Sequence, residues 1–89
     1  MNATQRKQLK AMAHSLKPVV MIGQSGLTSQ VISEINCALD CHELIKIKIR
    51  AEREDRKHIQ EQIATQTGAE IIQNIGQVAV VYRMNPKKH

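Results

Sequence analysis

Hydrophobic and polar positions change their period several times along this chain, and each change marks a new element. "TQRKQLKAMAHSL" puts Leu9, Met12, Ala13 and Leu16 on one face at helical spacing, with Thr4 where an N-cap belongs. Pro18 closes that helix, because the residue before a proline avoids helical geometry. "VVMI" is short, unbroken and rich in β-branched residues, the pattern of a strand buried on both faces. After "GQSGL", Thr28 can cap a second helix whose apolar arc holds Val31, Ile32, Ile35, Ala38 and Leu39. "LIKIKIR" alternates strictly, Ile45, Ile47 and Ile49 facing one way and Lys46, Lys48 and Arg50 the other, as a half-buried strand does. Asp55 opens a third helix carrying Ile59 and Ile63, and Gly68 sits where a C-cap glycine belongs. "AEIIQNI" and "QVAVVYR" then flank Gly76-Gln77 as two strands of a hairpin, and "MNPKKH" is a polar tail.

The predicted order is αβαβαββ, an α+β fold with a mixed four-stranded sheet packed with three helices. Strand–helix–strand units that join parallel neighbours need right-handed crossovers, and the closing hairpin adds an antiparallel pair. No internal repeat, low-complexity tract or linker interrupts the pattern. One domain over residues 1–84, followed by a basic polar tail over 85–89, is expected.

Composition narrows the chemistry. The chain has 89 residues and is 42% hydrophobic, with no Phe, no Trp and one Tyr, so its core must be aliphatic. A net charge of +5 and a pI near 9.6 favour an anionic partner. The polar start "MNATQRKQLK" lacks the apolar run of a secretory signal, and no stretch approaches the roughly 20 apolar residues of a membrane span. Two cysteines in such a chain read as thiols in a reducing compartment, and a cytoplasmic location is expected.

Three features carry candidate chemistry. A strand–"GQSG"–helix junction (Gly23, Gln24, Ser25, Gly26) aims backbone N–H groups and a helix N-terminus at one point, which suits a phosphate; a tight turn needing positive φ accounts for the glycines equally well. No acidic residue precedes Glu34, and on a helical wheel Arg6, Lys7, Lys10, His14 and Lys17 share one arc of about 100°. A one-sign stripe leading into the glycine loop is a phosphate track, where a solvated helix face normally mixes signs. The ladder Lys46, Lys48 and Arg50 is a second basic surface, or simply a solvated sheet face. Arg53, Arg56 and Lys57 alternate with Glu52, Glu54 and Asp55, which leaves that segment near neutral.

Near-absence of aromatics excludes a sheet on which bases stack, leaving contact with backbone and shape. Ser25 departs from the G-x-S-x-G nucleophile elbow, and no histidine–carboxylate pair is placed to activate it, so no enzyme and no cofactor are expected. Cys37 and Cys41 project opposite the apolar arc of their helix while His42 points into it, so "CALDCH" is not a metal site. A non-catalytic protein–protein adaptor, whose basic surface only aids solubility, is the alternative. It requires an exposed apolar patch.

The ordered set "AHSLKPVVMIGQSGLT", then "HELIKIKI" and "GQVAVVYR", resembles the CRM domain and in particular the stand-alone bacterial YhbY family, over about residues 5–83. The resemblance implies a fold similar to the C-terminal domain of translation initiation factor 3, and RNA binding in which the glycine loop takes part. It further implies association with precursors of the large ribosomal subunit and thus with rRNA. No membrane and no small-molecule substrate are expected, and the protein is expected to be a monomer. Neither Gln24 nor Ser25 is basic, unlike the variable residues of many RNA-clamping loops, which shifts weight to Lys10, Lys17 and their neighbours.

Overall fold

A computed structural model describes residues 2–88. Helix α1 (Ala3–Ala13) is capped by Asn2 and not by Thr4. The Asn2 side chain accepts from the Gln5 N–H at 2.8 Å while the Gln5 side chain accepts from the Asn2 N–H at 3.2 Å, a reciprocal capping box. α1 stops at Ala13, short of Leu16, and Pro18 serves instead as the first residue of β1 (Pro18–Ile22). A proline is tolerated there because β1 lies at the edge of the sheet.

Edge position also overturns the expectation that β1 is buried on both faces. Val20 and Ile22 are buried, but Val19 and Met21 are each 54% exposed. Helix α2 (Ser29–His42) begins at Thr28, whose hydroxyl accepts from the Val31 N–H at 3.2 Å, as its sequence indicates. Strand β2 (Leu44–Ile49) buries Ile45, Ile47 and Ile49 and leaves Lys46 and Lys48 half-buried. Helix α3 (Arg53–Thr67) starts two residues before Asp55, with Glu52 as N-cap, and closes on Gly68 at φ +74°. Strands β3 (Glu70–Ile75) and β4 (Val78–Tyr82) form the hairpin, and a single 3₁₀ turn covers Pro86–Lys88.

Strand order is β1-β2-β4-β3, with β1–β2 parallel and the other two pairings antiparallel. The hairpin therefore inserts β4 between the two strands that α3 connects. One face of the sheet carries α2 and α3 over a core of Val20, Ile22, Ile35, Leu39, Ile47 and Ile63, among others. Among the described residues, the opposite face carries α1 alone, over a smaller cluster of Ala13, Leu44, Ile72 and Val80. Arg83, just after β4, ties the helical layer to the sheet. Its guanidinium donates to the Asn36 side chain at 2.8 Å and to the Thr67 carbonyl at 2.6 Å, and meets Asp40 at 2.8 Å.

Candidate nucleic-acid interface

The GQSG segment is a turn closed by the Gly26 N–H donating to the Gly23 carbonyl at 3.0 Å. Its glycines have different reasons to be there. Gly26 holds φ +71°, a left-handed conformation that costs a residue with a Cβ about 1 kcal/mol or more. Gly23 has no positive φ, and a Cβ on it would meet no atom within 4 Å. Neither backbone strain nor packing demands a glycine at 23, whereas close approach of another molecule would. The Gly26 and Thr28 N–H groups are spent inside the turn and Thr28 occupies the Val31 N–H, so Ser29 and Gln30 are left as the unpaired first-turn donors of α2.

Parallel pairing of Ile22 with Ile49 brings Arg50 level with Gly23, and the Arg50 N–H donates to the Ile22 carbonyl at 2.9 Å. Gln77 arrives from the hairpin, its carbonyl accepting from the Ile49 N–H at 2.7 Å. Lys48 faces away from the α2–α3 core, in register with Met21 on one side and Val78 on the other, and Val78 in turn pairs with Ile75. Met21, Lys48, Val78 and Ile75 thus form a row across all four strands that α1 does not cover. Lys46 lies one step along β2, beside Pro18.

The basic residues of α1 are distributed differently from a single track. Arg6 is turned onto the start of β3, where Nη1 donates to the Ile71 carbonyl at 3.2 Å and Nη2 lies 3.9 Å from Glu70. Lys17 lies beyond the end of the helix and so leaves the wheel. It precedes Pro18 at the opposite end of β1 from the turn, five strand residues away, or roughly 17 Å. The stripe therefore does not run into the glycine loop along the chain. Lys10 and His14 stand roughly 160° round α1 from Met12, with Lys7 near them. Met12 lines a groove at the start of β2, and Lys7, Lys10 and His14 are exposed on the other flank of α1. Lys46 is in register with Val80, which α1 buries, so it stands at the border of the covered patch, and Lys48 lies two residues nearer the turn.

Sequence reasoning missed two features. The groove holding Met12, with Leu16, Val19 and Leu44, has a volume of about 380 Å³ and an apolar wall; Met12 is 61% exposed. It escapes the helical pattern because α1 ends before Leu16 and β1 is an edge strand. A cleft of about 740 Å³ lies between the turn and the start of α3, lined among others by Arg50, Arg56 and Gln77. Its signal in the sequence was the spacing of residues 52, 55, 56 and 59, one face of the helix that follows β2. Cys37 and Cys41 are exposed, and no three His, Cys, Asp or Glu side chains converge among the described residues. No helix among them is long and apolar enough to cross a membrane.

An α+β domain with a glycine turn at the end of an edge strand, and an uncovered basic sheet face beside it, is the class these features define. Residues 1–83 match the CRS1 / YhbY (CRM) domain model, and the chain belongs to that family. A Haemophilus influenzae protein named "RNA-binding protein" is 48% identical over 83 residues, spanning 91% of this chain and 84% of the relative. A Pseudomonas aeruginosa protein named "Probable RNA-binding protein" is 45% identical over 84 residues, spanning 93% of this chain and 81% of the relative. The solution structure of a Staphylococcus aureus protein superposes with a TM-score of 0.83 at 30% identity, covering 96% of this chain and 90% of that one.

Proposed function

We propose that this protein binds RNA through backbone and shape, and that it associates with precursors of the large ribosomal subunit to assist their assembly. One observation carries the reading. On the α1 side of the sheet, β2 presents half-buried Lys46 at the border of the cluster under α1 and half-buried Lys48 in the row with Met21 and Val78 toward the GQSG turn, and among the described residues that row holds no carboxylate. Phosphates spaced along a strand or helix of RNA can be neutralised across such a surface, each releasing counterions. The names of the relatives agree with this chemistry. The protein acts without catalysis or cofactor, as a monomer in the cytoplasm.

Two measurements test it. Gradient sedimentation of cell extract should place the protein with large-subunit precursors; finding it only at the top of the gradient would refute that association. Gln24→Asp and Ser25→Asp put a carboxylate on the exposed tip of the turn without touching either glycine. Each is expected to leave the melting temperature near that of the parent and to weaken RNA binding at least about tenfold, or 1.4 kcal/mol. Unchanged binding would move the RNA surface away from the turn. The apolar groove at Met12 and Leu16 favours a second reading, a protein contact. A variant that has lost RNA in vitro yet still sediments with the particle would support it.

A further inference from the structure

The cleft beside the turn is built differently from the open sheet face. Its far wall is the N-cap and first two turns of α3, where Glu52, Asp55, Arg56 and Ile59 follow one another at helical spacing on one side. Ile59, 9% exposed, provides an apolar floor. Arg56 is not a loose surface cation: Nη1 donates to the Ala51 carbonyl at 2.8 Å, which tethers the guanidinium to the cleft wall. RNA bases stack on arginine planes as well as on aromatic rings. A chain with a single Tyr can therefore still offer one base a platform.

The carboxylates are the unexpected part. Glu52 is the N-cap of α3, yet its side chain makes no capping hydrogen bond. Among the described residues, neither it nor Asp55 joins a salt bridge. Arg50, Arg56 and His58 share the cleft with these two carboxylates, so its charge is mixed, and RNA that enters it can satisfy the carboxylates only by bringing donors to them. A carboxylate only accepts. Guanine is the base whose Watson–Crick edge sets two N–H donors, N1 and N2, side by side, matching the two oxygens of one carboxylate. That edge is free only in an unpaired nucleotide.

We propose that this cleft takes one unpaired guanine, its Watson–Crick edge on Glu52 or Asp55 and its ring against Arg56, with its phosphate leaving across Gly23. The proposal rests on the RNA-binding reading and adds to it a point of base selection. Its volume of about 740 Å³ lies within the range of roughly 300–1,000 Å³ typical of small-molecule sites.

The test uses the full chain and four labelled oligouridine RNAs of equal length that differ only in one central nucleotide: G, A, C or U. Fluorescence anisotropy is expected to show the parent favouring the G-containing RNA about tenfold, the scale of a good bidentate base contact. Glu52→Gln, Asp55→Asn and the pair together are each measured, with melting curves to confirm folding. The G preference should disappear in at least one single variant and in the double variant. Affinity for the all-U RNA should hold or rise, because a negative charge has been removed. This sign separates base reading from electrostatics. Equal binding of all four RNAs by the parent would overturn the proposal, as would a G preference that survives the double variant, or a loss shared equally by every RNA. Absence of binding to any RNA would instead sink the RNA-binding reading beneath it.

Discussion

Two glycines three residues apart, Gly23 and Gly26, show how one residue type meets two demands. Gly26 is required by its own backbone at φ +71°, so Gly26→Ala should cost about 1 kcal/mol and lower the melting temperature by a few degrees. Gly23→Ala meets open space and an ordinary φ, so thermal unfolding should be unchanged within error. If RNA comes close to that backbone, Gly23→Ala should still weaken RNA binding several-fold; an RNA titration beside the melting curve checks this. Glu43 is the contrasting case, a residue with a Cβ at φ +64°. Its strain is tolerated because surrounding bonds hold it: its carbonyl accepts from the Arg83 N–H at 2.9 Å and its carboxylate from the Asn85 N–H at 2.6 Å. Glu43, part of the "HELIKIKI" signature, therefore serves the fold.

Among the elements, the helices are held very unequally. α2 and α3 lie on the main aliphatic core, whereas α1 rests on the small cluster of Ala13, Leu44, Ile72 and Val80, helped by Leu9 and Tyr82. With few buried contacts, α1 should open locally at lower free energy than the rest. Hydrogen exchange should find its amides exchanging faster than those of α2 and α3 around Ile35 and Ile63; equal protection would show one cooperative unit. Arg83 is the opposite device, joining the end of β4 to both α2 and α3. Asp40 is 65% exposed, so the ion pair itself contributes little, and the bonds to Asn36 and the Thr67 carbonyl matter more. Arg83→Met should destabilise the protein by about 2 kcal/mol in urea unfolding. Arg83→Lys should recover only a minor part, since an ammonium cannot span the same forked set of acceptors.

At the scale of the whole molecule, the charge of +5 matters through its placement. Lys46 and Lys48 lie along β2 on the α1 side of the sheet, while Lys10 sits on α1 and Lys17 just before β1, at the end of that strand away from the turn. Log affinity for RNA should fall linearly with log salt, and each lost phosphate contact should flatten the slope by about 0.7–0.9. Lys46→Gln with Lys48→Gln should therefore reduce it by roughly 1.5. Lys10→Gln with Lys17→Gln should do the same only if one RNA spans from the turn to α1. An unchanged slope in the second pair would assign those lysines to solubility.

Residue patterning alone determined the αβαβαββ order, the Thr28 cap, the Gly68 stop and the alternation of β2, because these depend on spacings of two to four residues that any local segment must obey. It could not settle which strands lie at the edges, since that is decided by pairing between distant segments. "VVMI" therefore read as a fully buried strand, and only its place beside β2 exposed Val19 and Met21. The same holds for the site. The turn and the lysines were legible one by one, but the wheel of α1 assumed a helix reaching Lys17. Strand register, not chain order, put Arg50 beside Gly23, and the packing of α1 across the sheet turned Arg6 to β3. Counted along the sequence, the segment with Glu52, Asp55 and Arg56 is a nearly neutral run, because such a count ignores which face each residue occupies. Local periodicity is a short-range property of the chain, whereas a binding surface is assembled from elements that only tertiary packing makes neighbours.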